Sequence, residues 1–274
     1  MEWTRMLHAQ ASRWTARGLD LLYPPRCPIC RRETSEKDLA VASESGSSSS
    51  AASCGLSSRV FCWAATVCDS CTRELSADSG RCLRCGEAGG AADGCRFCPQ
   101  RPHDWRRIAV LSSYAGGLRE AVLRAKRPAG DDVAAALASL IVRKHGERLV
   151  SWGVERVVPV PMHWLRRSIR GTSAADELSR RIASLLGLPH SRALVRHRAT
   201  RMQNELPIAD RPHNVQGAFR GRLRLDGERI LLVDDVVTTG ATLSACCRAL
   251  LAAGAATVDV AVVAKADRSV ADDA

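Results

Sequence analysis

The 274-residue chain predicts an α/β fold, a parallel sheet flanked by helices, with a small cysteine-rich module ahead of it. Three observations predict this. From about Trp105 onward, apolar strand signals alternate with helical stretches long enough to cross over a sheet. Two of the strands, Arg229–Val233 and Thr257–Val263, are nearly unbroken apolar runs, the pattern of strands buried on both faces. Before Trp105, eight cysteines fall into four C-x2-C pairs.

The composition bounds the function. Apolar residues make up 46% and charged residues 25%, ordinary for a globular protein with a real core. Aromatics are only 4%, so that core is built from Ala, Leu, Val and Ile. No apolar run approaches a membrane span, and the first 26 residues are Arg-rich without a secretory apolar region, so a cytoplasmic location is expected. The formal net charge is +11, which points to phosphate-bearing partners. Only four of the 40 basic residues are lysines, and arginine suits bidentate phosphate contacts. Arginine alongside abundant alanine is equally what a coding-composition bias produces.

In chain order, residues 1–26 place Trp3, Met6, Leu7, Trp14, Leu21 and Leu22 at near-helical spacing, an amphipathic helix that ends at Pro24-Pro25 and packs on the protein rather than on a membrane. Residues 27–104 hold the cysteine pairs, interrupted at about 35–59 by a Ser-rich, low-complexity insertion expected to be disordered. Residues 105–266 form the sheet domain. Strand Ile108–Tyr114 precedes helices Leu118–Arg127 and Val133–Leu149. Then come strand Arg156–Pro161, helix Ala174–Leu186 and a short strand at Ala193–Val195. Helix Ala241–Ala253 lies between the two strongest strands. Residues 267–274 read as a disordered tail.

The most informative segment runs from Val233 to Thr242. The apolar strand Ile230–Val233 leads into Asp234 and Asp235, then Val236-Val237, then Thr238-Thr239-Gly240-Ala241-Thr242 and a helix. Small residues let backbone amides approach a phosphate, and a helix N-terminus adds donors and partial positive charge. The threonine hydroxyls are further donors. Two acids beside such a cradle make sense if a sugar sits there, because an ionised carboxylate accepts from ribose hydroxyls. A Mg²⁺ carrying pyrophosphate oxygens would offset their repulsion. The bland alternative is a strand, turn and helix with an acidic, Thr-rich cap. No Gly-Lys-Ser/Thr loop exists, so a Walker-type nucleotide site is excluded.

This segment resembles the 5-phosphoribosyl pyrophosphate (PRPP) motif of type I phosphoribosyltransferases. The resemblance narrows to the ComF (competence protein F) family, including GntX-type proteins. It is carried by Val158-Pro159-Val160-Pro161-Met162-His163, by Leu165-Arg166-Arg167 with Arg170-Gly171, by Gln203 with Arg211–Phe219, and by Tyr114-Ala115-Gly116-Gly117-Leu118-Arg119 leading to Lys126. It implies a type I phosphoribosyltransferase-like sheet behind a double zinc ribbon. It assigns catalysis to Asp234 and Asp235. PRPP binding falls to Val236, Val237, Thr238, Thr239, Gly240, Ala241 and Thr242, with Arg166, Arg170 and Lys126 meeting phosphate charge. A mobile hood would include Ala199–Phe219. Where the family continues Arg-Gly-Phe-Asn-Gln, this chain has Arg170-Gly171-Thr172-Ser173-Ala174, a departure that bears on the acceptor and on turnover.

Cys27/Cys30, Cys68/Cys71, Cys82/Cys85 and Cys95/Cys98 are four knuckles, each able to give two thiolates to one tetrahedral Zn²⁺. Two structural zinc ions follow. Sequential pairing matches the double ribbon of the resemblance, and cross-braced pairing is the alternative. Cys54, Cys62, Cys246 and Cys247 lack the spacing. Arginines surround the knuckles, and Phe61, Trp63 and Phe97 could stack on bases.

Three readings follow. The first is a PRPP–Mg²⁺-dependent transferase that moves the phosphoribosyl group to a nitrogen acceptor. The second is a PRPP- or nucleotide-binding protein whose basic zinc module holds single-stranded DNA beside DNA-uptake partners. The third is a scaffold with an idle site.

Overall fold

The structure is a computed structural model that describes residues 25–34, 67–77, 80–89, 95–99, 103–162, 173–198 and 214–267. The expected N-terminal helix, the Ser-rich insertion, Cys54, Cys62, Arg166, Arg170, Thr172, Gln203 and all but the end of the hood lie outside the described residues. The chain divides into two compact units, 1–71 and 72–274. The division falls inside the stretch 27–104 that the sequence groups as one cysteine module. In the first unit, the turn at Cys27–Cys30 is closed by Arg31 N donating to Cys27 O at 2.8 Å. Helix α1 (Asp69–Ser76) carries Cys71.

The second unit holds a four-stranded sheet ordered β1 (Ile108–Ser113), β6 (Thr257–Lys265), β5 (Arg229–Val237), β2 (Arg156–Pro159). All three pairings are parallel, as expected. Helices α2 (Gly116–Ala125) and α3 (Asp131–Ser151) follow β1, and α4 (Ala174–Leu186) follows β2. A small antiparallel pair, β3 (Leu194–Arg196) and β4 (Phe219–Gly221), precedes β5. Helix α5 (Ala241–Ala252) connects β5 to β6.

Register fixes which residues share a face. Ile108 pairs with Val260, Leu232 with Val260, and Val158 with Leu232. Even-numbered side chains therefore line one side. There Ile108, Val158, Ile230, Leu232, Val258 and Val260 form one core with Leu243, Cys246 and Leu250 of α5 and with Leu194 and Phe219 of the small pair. Odd-numbered Val157, Leu231, Val233, Ala261 and Val263 are as deeply buried. They lie beneath α3, which packs on β1 and β6, and α4, which packs on β2 and β5. Fully burying each such aliphatic side chain contributes about 1.5–3 kcal/mol.

Helix α3 begins where the chain turns most tightly. A Cβ at Gly130 would stand 2.4 Å from Arg124 O, so only glycine lets α2 run on into α3. Asp131 and Asp132 occupy its first turn, the favourable end of the helix dipole, and Asp132 Oδ1 accepts from Val133 N at 2.7 Å. Nearer its end, buried His145 places Nε2 2.9 Å from Val110 O and Nδ1 3.2 Å from Arg148 Nη1. Burial pushes this imidazole down to about 4, so it is neutral, donating to Val110 and accepting from Arg148.

β6 contains a charge that the apolar pattern hides. Asp259 is fully buried and accepts from two arginines. Arg106 Nη2 lies 2.8 Å from Oδ2, and Arg107 donates through Nε and Nη2 at 3.1 and 3.0 Å. The Arg107 guanidinium also stacks 4.5 Å over the Trp152 ring.

Three expectations are corrected. β5 continues to Val237, because Asp234, Val236 and Val237 keep their pairing with Val262, Ala264 and Lys265 of β6. β2 ends at Pro159, two residues early, since proline gives no ladder donor and only Val160 N still reaches Val233 O at 2.9 Å. Asp267, assigned to the tail, is anchored by Arg81 at 2.8 and 2.9 Å and by Ser113 Oγ at 2.5 Å.

Candidate phosphate-binding site and metal centres

Because β5 runs to Val237, the loop proper is only Thr238, Thr239 and Gly240 before α5 begins. Gly240 adopts φ +80°, and a Cβ there would lie 2.7 Å from Cη2 of Trp105. Backbone conformation and indole contact both demand glycine at this position. With glycine at the N-cap there is no capping side chain; the nearest substitute is Thr239 Oγ1, which accepts from Ala241 N at 3.4 Å. A short loop leading into a helix N-terminus with glycine at its cap is an arrangement suited to phosphate.

The two acids point to different layers because they are consecutive in a strand. Asp235 Oδ1 lies 3.1 Å from Lys126 Nζ at the C-terminal cap of α2. Asp234 Oδ1 accepts from Asp235 N at 2.9 Å. Burial first, and then the Asp235 charge, pushes the Asp234 carboxyl up to about 8, while Lys126 and Arg196 pull it back. Additional positive charge or hydroxyl donors at the strand end, as a Mg²⁺ or a ribose diol would bring, would favour the ionised form of Asp234 further.

Of the residues expected here, the structure brings together Asp234, Asp235, the loop to Thr242 and Lys126. Lys126 meets a carboxylate rather than open space. Ser173 stands at the N-cap position of α4 with Ala174 in its first turn, both buried, so the departure from Phe-Asn-Gln falls partly on a helix start. Sequence reasoning missed Arg196, whose charge reaches Asp234 from the end of β3 and which lies 5.4 Å over the Phe219 ring. It also missed Lys265, whose Nζ donates to Thr238 O at 3.1 Å. An apolar strand that ends in a lysine was the available signal.

The eight knuckle sulfurs form two groups, Cys27, Cys30, Cys68, Cys71 and Cys82, Cys85, Cys95, Cys98, with the ligand atoms of each within 4.8 Å of one another. This is the sequential arrangement. Closest sulfur pairs are 3.7 Å apart in the first group and 3.4 and 3.6 Å in the second. Four sulfurs about 2.3 Å from a central Zn²⁺ would be spaced at nearly this distance, so the residues fit the metal. Burial would raise the Cys82 thiol, but the amides of Cys85 and Arg84 bring it down to about 7. Burial, then contacts with neighbouring sulfurs, pushes Cys85 up, and Cys98 goes up to about 11 by the same causes. Four such thiols cannot all ionise without a cation among them. Cys246 and Cys247 are buried in the α5 core, as packed residues. No described helix is long and apolar enough to cross a membrane.

The Phosphoribosyl transferase domain family matches residues 170–273, which include the whole loop. DNA utilization protein YhgH of Salmonella typhi is 35% identical over 199 residues, covering 71% of this chain and 88% of that protein. Competence protein F of Haemophilus influenzae is 27% identical over 212 residues, 73% of this chain and 90% of that one. A hypoxanthine/guanine phosphoribosyltransferase of Methanocella paludicola is 43% identical over 63 residues, 22% of this chain and 33% of its own.

Proposed function

Because the chain belongs to the family of DNA utilization protein YhgH and competence protein F, with a phosphoribosyl transferase domain, we propose that it binds PRPP with Mg²⁺ at Asp234–Thr242 and transfers the 5-phosphoribosyl group to a nitrogen acceptor. The observation that supports this reading best is the end of β5, where two acids on opposite faces run straight into a three-residue loop and a helix N-terminus whose cap is a glycine.

The roles follow from that geometry. Amides of the loop and of the first turn of α5, with the Thr238, Thr239 and Thr242 hydroxyls, hold the 5-phosphate. Asp234 and Asp235 accept from the ribose 2′ and 3′ hydroxyls, and Lys126 holds Asp235 in place. In the reaction the C1–O bond to pyrophosphate breaks and a C1–N bond forms, with the proton leaving the incoming nitrogen. A Mg²⁺ bound with the pyrophosphate supplies charge neutralisation for its departure. No covalent nucleophile on the protein is needed; positioning and exclusion of water lower the barrier. Arg166 and Arg170 complete the phosphate contacts. The two four-cysteine groups hold structural Zn²⁺.

Calorimetric titration of the full chain with PRPP and Mg²⁺ tests the reading. Saturable one-site binding, lost on Asp234→Ala with Asp235→Ala, is expected, together with pyrophosphate release when the acceptor base or amine is found. Absence of binding would overturn it. The names of the relatives favour a second reading, in which the chain binds PRPP and single-stranded DNA in DNA uptake without turnover. PRPP binding with no pyrophosphate release across bases and amines, but with retention of single-stranded DNA, would select it.

A further inference from the structure

We propose that the second metal centre sets the shape of the phosphate loop, with Trp105 and Lys265 as the positioning residues that transmit it; the inference rests on the phosphoribosyl reading of that loop.

A phosphate cradle works only if its amides are held to within a few tenths of an ångström. The loop Thr238–Gly240 contributes little to this itself, being a three-residue bend with a glycine cap on the helix behind it. Its constraints come from the turn Cys82–Glu87, through two independent braces. In one, Lys265 Nζ pairs with Glu87 Oε1 at 2.7 Å and donates to Thr238 O at 3.1 Å and Ala266 O at 3.2 Å. Those three acceptors use all the donors an ammonium has, and both charged side chains are 4–5% exposed. In the other, Trp105 Nε1 donates to Arg84 O at 2.8 Å, while the far edge of the indole fills the space a Cβ on Gly240 would need. His103 stacks at 4.3 Å on the same indole.

Both braces start within the knuckle. Arg84 lies between the ligands Cys82 and Cys85, and Glu87 follows Cys85 by two residues. The turn is itself fixed to the sheet, where Ile108 N donates to Leu83 O at 2.7 Å and Gly86 packs on Val110. The cleft between knuckle and loop, lined by Cys85, Glu87, Trp105, Thr239 and Lys265 among others, is partly open to solvent and has room for about one water. A displacement of the knuckle passes to Thr238 and Gly240 through the two braces that span this cleft. The metal holds Cys82 and Cys85 against Cys95 and Cys98. Without it, the four thiols have only weak contacts with one another, and the knuckle is held from one side alone, by Gly86 N to Cys82 O, Cys82 N to Glu87 O, Ile108 N to Leu83 O and Arg81 Nη1 to Gly86 O, with nothing tying it to Cys95 and Cys98.

The test uses the zinc-loaded full chain and two readouts, amide hydrogen exchange across residues 230–245 and calorimetric affinity for PRPP with Mg²⁺. Cys98→Ser, which should release one metal, and Trp105→Phe, which removes the Nε1 donor and the ring edge beside Gly240, are compared with Leu149→Ala, a core change in α3. Lys265→Met combined with Glu87→Gln removes the charged brace without leaving a buried charge. Cys98→Ser and the double variant are expected to speed exchange at Thr238–Thr242 while the β5 amides before Val233 stay protected, and to weaken PRPP roughly tenfold to a hundredfold. Trp105→Phe should give a smaller change of the same kind, and Leu149→Ala should leave loop exchange and affinity as they are. Unchanged loop exchange in a Cys98→Ser protein that has lost its metal overturns the inference; if that variant does not fold, unchanged exchange in both Trp105→Phe and the double variant does so. Failure of the wild-type chain to bind PRPP would sink the proposed function instead, leaving exchange to decide this point.

Discussion

Replacing Asp234 by asparagine should make the unliganded protein more stable and its site useless. The new amide keeps an Oδ1 acceptor for Asp235 N, so the 2.9 Å bond survives and only the charge is lost. The native environment lifts the Asp234 carboxyl from 3.8 to about 8, so between those values the folded chain holds a proton that the unfolded chain has released. Stability of the wild type therefore falls as pH rises through that window. At about 1.4 kcal/mol per tenfold step the upper limit is roughly 5–6 kcal/mol. Solvent at the partly open strand end lowers this to about 2–3 kcal/mol. Thermal melts from pH 4 to pH 9 should show Asp234→Asn and wild type nearly alike at the acid end and the variant ahead by about 5–10 °C at the alkaline end. The same variant should lose PRPP, because the amide presents a donor to one ribose hydroxyl. A variant less stable than wild type at pH 8–9, or a gap that does not change with pH, would refute the reasoning.

Other outcomes follow from the same interactions. Neutral, buried His145 titrates near 4 instead of 6.5, so stability should drop by up to roughly 3 kcal/mol as pH falls through that interval, and His145→Gln should flatten the slope in denaturant titrations. Asp259→Ala should cost about 1–3 kcal/mol by removing the acceptor shared by Arg106 and Arg107, whose side chains keep access to water, seen as a lower urea midpoint. Metal analysis of the full chain should find two Zn²⁺, and Cys71→Ser or Cys85→Ser should each remove one.

Much of the fold was legible because its strands are apolar runs and its helices are periodic. The apolar runs Arg229–Val233 and Thr257–Val263 mark β5 and β6 at their observed starts, and α4 is marked at both observed ends. The misses have physical causes. Asp234 and Asp235 look like loop residues, yet pairing with β6 outweighs their polarity and extends the strand. β4 is the tripeptide Phe219-Arg220-Gly221, too short for any period, and exists because β3 lies alongside it. α1 is polar along most of its length and buries Cys71 and Leu75, a stripe too thin to recognise. At the site, the loop motif was readable because its residues are contiguous. The roles of Lys265, Trp105 and Arg196 were not, because their partners are 178, 21 and 38 positions away, at Glu87, Arg84 and Asp234. Nothing in the sequence links Arg106 and Arg107 to Asp259, 153 and 152 positions away.

The parity of the sheet has a consequence for assembly. The adjacent acids at the end of β5 answer to opposite layers: Asp235 to α2 through Lys126, and Asp234 to the side where α5 and the β3–β4 pair pack. A ligand that needs both carboxylates can engage only a chain in which both layers have closed on the sheet. A chain with one layer open leaves one of the two carboxylates without the partners that hold it, and would gain less from the ligand. Ligand binding would then act as a proofreader of folding, favouring by mass action the finished molecule over any partly built one.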